Sequence, residues 1–290
     1  MRVLITGATG FIGNNVIKNL LKSYNHEVIA TSIDPIEKVK NFSWSKSVEY
    51  IPLDLNEPVD NCFKFFKEPD TLIHLSWEGL PNYKELYHFE RNIISNYIFI
   101  KNMIINGLKD LNIIGTCAEY GLIEGCVSED LPSNPVTPYA LGKDTLRKFI
   151  EQLNKMFDFN FKWIRLFFMY GKHQYPNSIL PLLDKALNNN EEVFNMSGGE
   201  QLRDYLPVKK VAEYINKISL QNEILGIINC CNGKPISIKE LVVNHMKKRG
   251  KTIKLNLGYY PYIDYEPMSF WGDNTKLKLI LNKYDENNSK

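Results

Sequence analysis

Thr6-Gly7-Ala8-Thr9-Gly10-Phe11-Ile12-Gly13 decides the fold. It follows directly on Val3-Leu4-Ile5, an apolar run of the length of a buried strand, and leads into Asn14 to Ser23, whose apolar residues recur at helical spacing. Glu27 to Thr31 reads as a second strand. In such a strand-helix-strand unit each glycine has a reason: a tight turn, close approach of backbone to a pyrophosphate, and close packing of helix on strand. The phosphates would lie at the positive end of the helix. A glycine triplet alone is weak evidence, since ordinary strand-to-helix turns are common; its place at the start of the unit favours a dinucleotide.

The alternation continues outward. Thr71 to Leu75, Leu111 to Thr116 and Lys162 to Phe167 read as strands, with helices over Phe89 to Gly107 and Thr137 to Phe157. Strands separated by helices imply a parallel sheet covered on both faces, an α/β doubly wound sheet of Rossmann type. The last third differs: a helix over Pro176 to Asn190, Gly198-Gly199, a helix over Val208 to Leu220, a strand near Ile227 to Asn229, and a Tyr/Pro-rich stretch from Tyr259 to Pro267. The expected division is a Rossmann domain over residues 1–168 and a smaller substrate-binding lobe over 169–290, with about 204–230 returning to the core.

Composition excludes several classes. A formal charge of +2, from 35 basic and 33 acidic side chains, gives no field that would draw nucleic acid or a membrane. The densest basic run, Lys247-Lys248-Arg249 with Lys251, reads as a solvated helix end. Five cysteines, Cys62, Cys117, Cys126, Cys230 and Cys231, show no paired ligand spacing, so neither disulfides nor a metal site is expected. With no apolar leader after Met1-Arg2 and no apolar run of roughly 18 residues, a cytoplasmic enzyme is expected.

An NAD site carries an acidic residue about 20 residues after the glycines to hold the ribose hydroxyls. Ser32 stands there, followed by Ile33 and Asp34. A serine can donate to a 2′-phosphate and does not repel it, so NADP(H) is the expected cofactor and NAD(H) the alternative. Lys38 and Lys40 are placed to supply the counter-charge, against the plainer reading of two surface lysines. Asp54-Leu55, after the third strand, brackets the adenine or forms a strand-end turn.

Tyr139-Ala140-Leu141-Gly142-Lys143 puts a phenol and an ammonium one turn apart on one helix face. The positive charge is expected to favour the phenolate and bring the tyrosine toward working pH, ready to exchange a proton with a carbonyl or alcohol oxygen. Thr116, ending the preceding strand at the sheet's carboxyl edge, is placed to share that oxygen. His74 reads as a packed histidine without a role, and His245 as a helix-surface residue. Asn177-Ser178 is expected to cap a helix, the alternative being a phosphate contact; Tyr259, Tyr260, Tyr262 and Tyr265 line a cleft or pack in a loop.

Thr6 to Gly13, Asp54-Leu55, Ile73-His74-Leu75-Ser76, Asn92, Thr116 four residues before Tyr120-Gly121, Tyr139/Lys143, and Gly199-Glu200-Gln201-Leu202-Arg203-Asp204-Tyr205 follow one another in order over nearly the whole chain. In this it resembles the extended short-chain dehydrogenase/reductases of the NAD-dependent epimerase/dehydratase group. The resemblance implies catalysis by Thr116, Tyr139 and Lys143. It implies cofactor contacts from Gly7, Thr9, Gly10, Phe11, Ile12 and Gly13, from Ser32, Asp54, Leu55, Leu75, Ser76 and Asn92, and from Tyr139, Lys143 and Leu166. Lys143 would also grip the nicotinamide ribose. Substrate contacts are expected from Trp77, Cys117, Glu119 and Asn177, and from Arg203 to the substrate's diphosphate. A homodimer through the helices carrying Asn92 and Tyr139 is implied as well.

Two departures narrow the reaction. The family's sugar-nucleotide 4,6-dehydratases carry an acidic side chain close behind the threonine, where this chain has Cys117 and Ala118, with Glu119 one place too late; dehydration is not expected. Its epimerases often show asparagine at the place of Phe168. The first expectation is therefore reduction of a nucleotide-linked 4-keto-6-deoxyhexose, making a deoxysugar for surface polysaccharide such as O-antigen. A nucleotide-sugar 4-epimerase with tightly bound NAD is the alternative, and a non-catalytic NAD(P)-sensing regulator a second, against which the full Thr/Tyr/Lys set stands.

Overall fold

The computed structural model describes residues 1–57 and 59–288, the side chains of 287 and 288 excepted. The chain runs β1 (Arg2–Thr6), α1 (Phe11–Ser23), β2 (Glu27–Thr31), α2 (Ile36–Val39), β3 (Glu49–Tyr50), α3 (Cys62–Phe65) and β4 (Thr71–His74). A five-residue π turn, His88–Asn92, opens α4 (Ile93–Ile105), followed by β5 (Asp110–Thr116), a 3-10 turn over Cys117–Tyr120, β6 (Gly125–Val127), α5 (Pro138–Met156), β7 (Asn160–Leu166) and β8 (Phe168–Tyr170). Then come α6 (Ile179–Asn188), β9 (Val193–Asn195), β10 (Leu202–Pro207), α7 (Val208–Ser219), β11 (Gly226–Cys230), β12 (Pro235–Ser237), α8 (Ile238–Arg249), β13 (Lys254–Asn256), β14 (Ser269–Gly272) and α9 (Thr275–Asn288).

Seven strands form one parallel sheet in the order β11-β7-β5-β4-β1-β2-β3. Val3, Leu4 and Ile5 are wholly buried, as a strand covered on both faces requires. One face packs against α1, α7 and α9 through Val16, Ile17, Leu20, Val211, Ile215 and Ile280. The other packs against α4 and α5 through Phe99, Ile100, Met103, Leu146 and Ile150. The chain turns back between β1 and β4, and the crevice at their carboxyl ends is where open α/β sheets take ligands.

The smaller layer is a sheet β12-β10-β14-β6, with β8 beside β10, over a separate core of α6 and α8. The chain crosses between the two layers more than once. β6 leaves the first half to pair with β14, while β11 and α9 return to the large sheet and its core. The basic run falls in the last turn of α8, closed by Gly250 at φ +62°. Among the described residues, no helix is long and apolar enough to cross a membrane.

Candidate active site

The glycine turn is built to receive a diphosphate. Gly7 takes φ +63°, and a Cβ there would lie 3.0 Å from the Leu75 carbonyl carbon and the Ser76 nitrogen, so Leu75 and Ser76 lie close against the turn. A Cβ on Gly13 would fall 2.3 Å from the Gly7 oxygen; only glycine lets α1 start so close to the strand. Gly10 is exposed at the N-cap of α1 with no side chain capping it, and Phe11 and Ile12 form the first turn. The free N–H groups of that turn suit a pyrophosphate. A dinucleotide cofactor therefore fits this cradle.

Past the end of β2 the structure corrects the sequence reading. Ser32 is 9% exposed, and its hydroxyl is taken up by Thr9 Oγ1 (3.0 Å), the Tyr50 phenol (2.8 Å) and the Asp34 N–H (3.3 Å). Asp34 carries the charge instead, paired with Lys38 Nζ at 2.6 Å. Partial burial pushes its carboxyl up, but hydrogen bonds from Lys38 and Thr9 outweigh this and hold it below the usual carboxylate range. An ionised acid beside Thr9 suits ribose hydroxyls and repels a 2′-phosphate, so the ground for NADP(H) is lost. Asp54 turns on itself, accepting from the Asn56 N–H and side-chain amide, with Leu55 half-buried beside it.

Thr137 accepts from the Ala140 N–H and Pro138 occupies the first turn, which starts α5 just before Tyr139. Tyr139 and Lys143 thus share the face turned toward β5. The Thr116 side chain lies beside the Tyr139 phenol and favours its ionised form, and Lys143, 2% exposed, donates to the Ile114 carbonyl at 2.9 Å, two residues back along β5. Lys143 Nζ also lies 4.1 Å from the centre of the Trp77 ring. Burial lowers the Lys143 ammonium to about 7, with the Glu119 carboxylate pulling the other way. Burial, with Tyr83 adding to it, drives the Tyr139 phenol up rather than down, contrary to the sequence expectation: the Lys143 donor is turned to Ile114 and no compensating charge reaches the phenol. The tyrosine is held protonated.

Around this cluster the rings interlock. Tyr83 and His88 lie 5.3 and 5.4 Å from the Tyr139 ring, and Trp77 Nε1 donates to His88 Nδ1 at 3.0 Å. His88, absent from the sequence reading, is fully buried and kept neutral, chiefly by burial. His74 is packed as expected: burial lowers it to about 3, between Thr6 Oγ1 and Asn96 Oδ1. Asn92 ends the π turn, 1% exposed, and its amide donates to the Glu78 carbonyl, bracing the Trp77 loop. Leu166, 6% exposed, ends β7 next to Thr116.

The substrate residues divide. Arg203 on β10 pairs with Glu266 at 2.9 Å, and both charges act on the Cys117 thiol, which burial pushes up and keeps neutral. Cys117, Arg203, Glu266 and Tyr83 thus lie within electrostatic reach of one another. Glu119, contrary to the expected substrate contact, is wholly buried and all its hydrogen bonds point inward, because three donors on β5 and β7 claim its carboxylate. Asn177 is exposed and bonds Tyr175, while Ser178 is the N-cap of α6, so Asn177 caps nothing. His245, partly exposed on α8, faces Asp184 on α6 at 2.9 Å. Of the strap tyrosines, Tyr265 approaches Tyr83 at 6.4 Å, while Tyr259, Tyr260 and Tyr262 are exposed.

The model of the NAD dependent epimerase/dehydratase family matches residues 3–231. The dTDP-6-deoxy-L-talose 4-dehydrogenase (NAD(+)) of Aggregatibacter actinomycetemcomitans is 31% identical over 282 residues, covering 94% of this chain and 99% of that one. From the same organism, GDP-6-deoxy-D-talose 4-dehydrogenase is 23% identical over 97% of this chain and 91% of its own. The structure of UDP-N-acetylglucosamine 4-epimerase from Methanobrevibacter ruminantium, in complex with UDP-N-acetylmuramic acid, shares the fold at TM-score 0.84 and 23% identity, over 96% of this chain and 91% of that one. With its glycine cradle, its seven parallel strands and a family match across most of its length, the chain belongs to the NAD dependent epimerase/dehydratase family.

Proposed function

We propose that this chain is an NAD(H)-dependent oxidoreductase of a dTDP-linked 6-deoxyhexose, interconverting the 4-keto and 4-hydroxy sugars. The observation that carries this reading is the cluster at the top of β5, where a protonated Tyr139 phenol meets the Thr116 hydroxyl with Lys143 one turn along the same helix. The 31%-identical 4-dehydrogenase supports the sugar and the cofactor, and Asp34 supports NAD over NADP.

A bound nicotinamide would supply or accept a hydride at the sugar's C4. Glycines 7, 10 and 13 would hold its diphosphate and Asp34 a ribose. Tyr139 gives its proton to the C4 oxygen during reduction. Ala118 N–H donates to Thr116 Oγ1 at 3.3 Å, leaving the threonine's own hydrogen to support that oxygen. Lys143, with its lowered affinity for a proton, answers to whatever charge arrives beside it. Cys117 and Ala118 bring no acid to the sugar, so elimination of water has no catalyst at these two positions.

Epimerisation is the second reading, favoured by the fold shared with a 4-epimerase. The proposed assembly is a homodimer, supported by an apolar face across α4 and α5. The function is tested by incubating the protein with NAD⁺ or NADP⁺ and dTDP-6-deoxy-L-talose or its GDP counterpart. NADH formation with the dTDP sugar supports the reading; inertness toward every 4-hydroxy sugar overturns it.

A further inference from the structure

Glu119 is wholly buried, yet it is tied directly to the Thr116 backbone. Its Oε1 accepts the Thr116 N–H at 2.8 Å and Trp163 Nε1 at 2.9 Å, while Oε2 accepts Arg165 Nε at 2.8 Å. Trp163 and Arg165 project from β7, paired with Ile113 and Gly115 of β5. All three side chains are buried to within 1%. A Cβ on Gly115 would lie 2.1 Å from Trp163 Nε1 and 2.7 Å from Glu119 Oε1, so glycine is required for the carboxylate to enter. Gly115, Glu119, Trp163 and Arg165 form one built unit around a carboxylate whose proton affinity burial raises and the Arg165 guanidinium and three N–H donors lower.

That unit ends at the hydroxyl used in the chemistry. Glu119 and Thr116 cap the 3-10 turn reciprocally, the carboxylate on the threonine's N–H and the threonine's Oγ1 on the Ala118 N–H. Removing the acceptor would free the first residue of the turn and, with it, the direction of the hydroxyl toward Tyr139. We propose that Glu119 is a positioning residue for Thr116, a buried carboxylate brace that fixes the threonine hydroxyl against the Tyr139 phenol. The proposal rests on the reading of Thr116 as partner of the substrate oxygen.

Glu119→Gln keeps the volume and one acceptor, but turns an amide donor toward the donors of Arg165 or Trp163. The test compares wild type, E119Q, T116V and E119Q/T116V in the reduction of a dTDP-4-keto-6-deoxyhexose by NADH, with NADH affinity followed by fluorescence. E119Q is expected to lower kcat by about tenfold to a hundredfold, the cost of a small displacement of a reacting group. KM and NADH affinity should stay within about twofold of wild type. In the T116V background the same change should cost nothing further, because both substitutions remove one interaction. Additive losses, an unchanged kcat in E119Q, or cofactor affinity falling in step with kcat would each overturn the brace. If E119Q does not fold, W163F, which removes one donor and keeps the carboxylate, enters the same cycle with a smaller loss. A wild type that turns over no sugar defeats the functional reading alone; the brace is then judged by hydrogen exchange of the Thr116 amide, expected to be slow in wild type and faster in W163F, and refuted if unchanged.

Discussion

Burial sets the behaviour of the two titrating groups at the candidate site, and it acts on them in opposite directions. Tyr139 keeps its proton, so Tyr139→Phe should cut turnover by about a hundredfold to ten-thousandfold while NADH binding stays near wild type. Preserved turnover would remove the tyrosine from the chemistry. Lys143 is lowered to about 7 by burial, so between there and the ordinary 10.5 the unfolded chain holds a proton that the folded chain has released. This group's share of stability therefore rises with pH across that window and is least favourable below it. A cofactor that brings negative charge and ribose hydroxyls to the ammonium should raise it again, so NADH binding at about pH 8 should take up a proton. Calorimetry in buffers of different ionisation heat measures that uptake, and K143M should abolish it. Tyr139 and Lys143 were legible because they stand one helical turn apart, and Thr116 because it ends a strand at the sheet's carboxyl edge. Ser32 misled because the turn after β2 was read by counting, whereas in space Thr9 and Tyr50 close over the serine and present Asp34. Nothing along the chain marks Glu119 as buried; its side-chain donors Trp163 and Arg165 lie 44 and 46 residues away.

The glycine turn and α5 form from local rules, and both were readable. Gly13→Ala would push a methyl into the Gly7 carbonyl, forcing α1 off the sheet and spoiling the phosphate cradle. NADH affinity should fall at least about tenfold, with a smaller loss of thermal stability; unaltered affinity would show that the cradle does not hold the cofactor. The helix expected from Phe89 instead begins as a π turn at His88, which sets the buried His88 and Asn92 under the Trp77 loop. One extra residue in a helical turn leaves the apolar period on either side intact, so the periodicity could not reveal it.

Across the whole molecule the sheet was foreseen and the closing moves were not. β6 and α9 each join the layer opposite to their neighbours in sequence, choices made by cores assembled from distant residues. α4 and α5 leave Ile94, Ile98, Phe149 and Met156 between 45% and 77% exposed, a shared apolar face that a second copy would cover. Sedimentation should give a dimer for wild type and a monomer for I98E/F149E; a monomeric wild type would refute the assembly. On the proposed function, hydride should enter the sugar at C4 from exchangeable NADH. The most direct measurement supplies NADH deuterated at the transferred position together with a dTDP-4-keto-6-deoxyhexose, and reads the product by NMR. Deuterium at sugar C4, one for each NADH consumed, is the predicted result. Inversion at C4 of a 4-hydroxy sugar with no deuterium incorporated and no NADH consumed would contradict it and make the chain an epimerase.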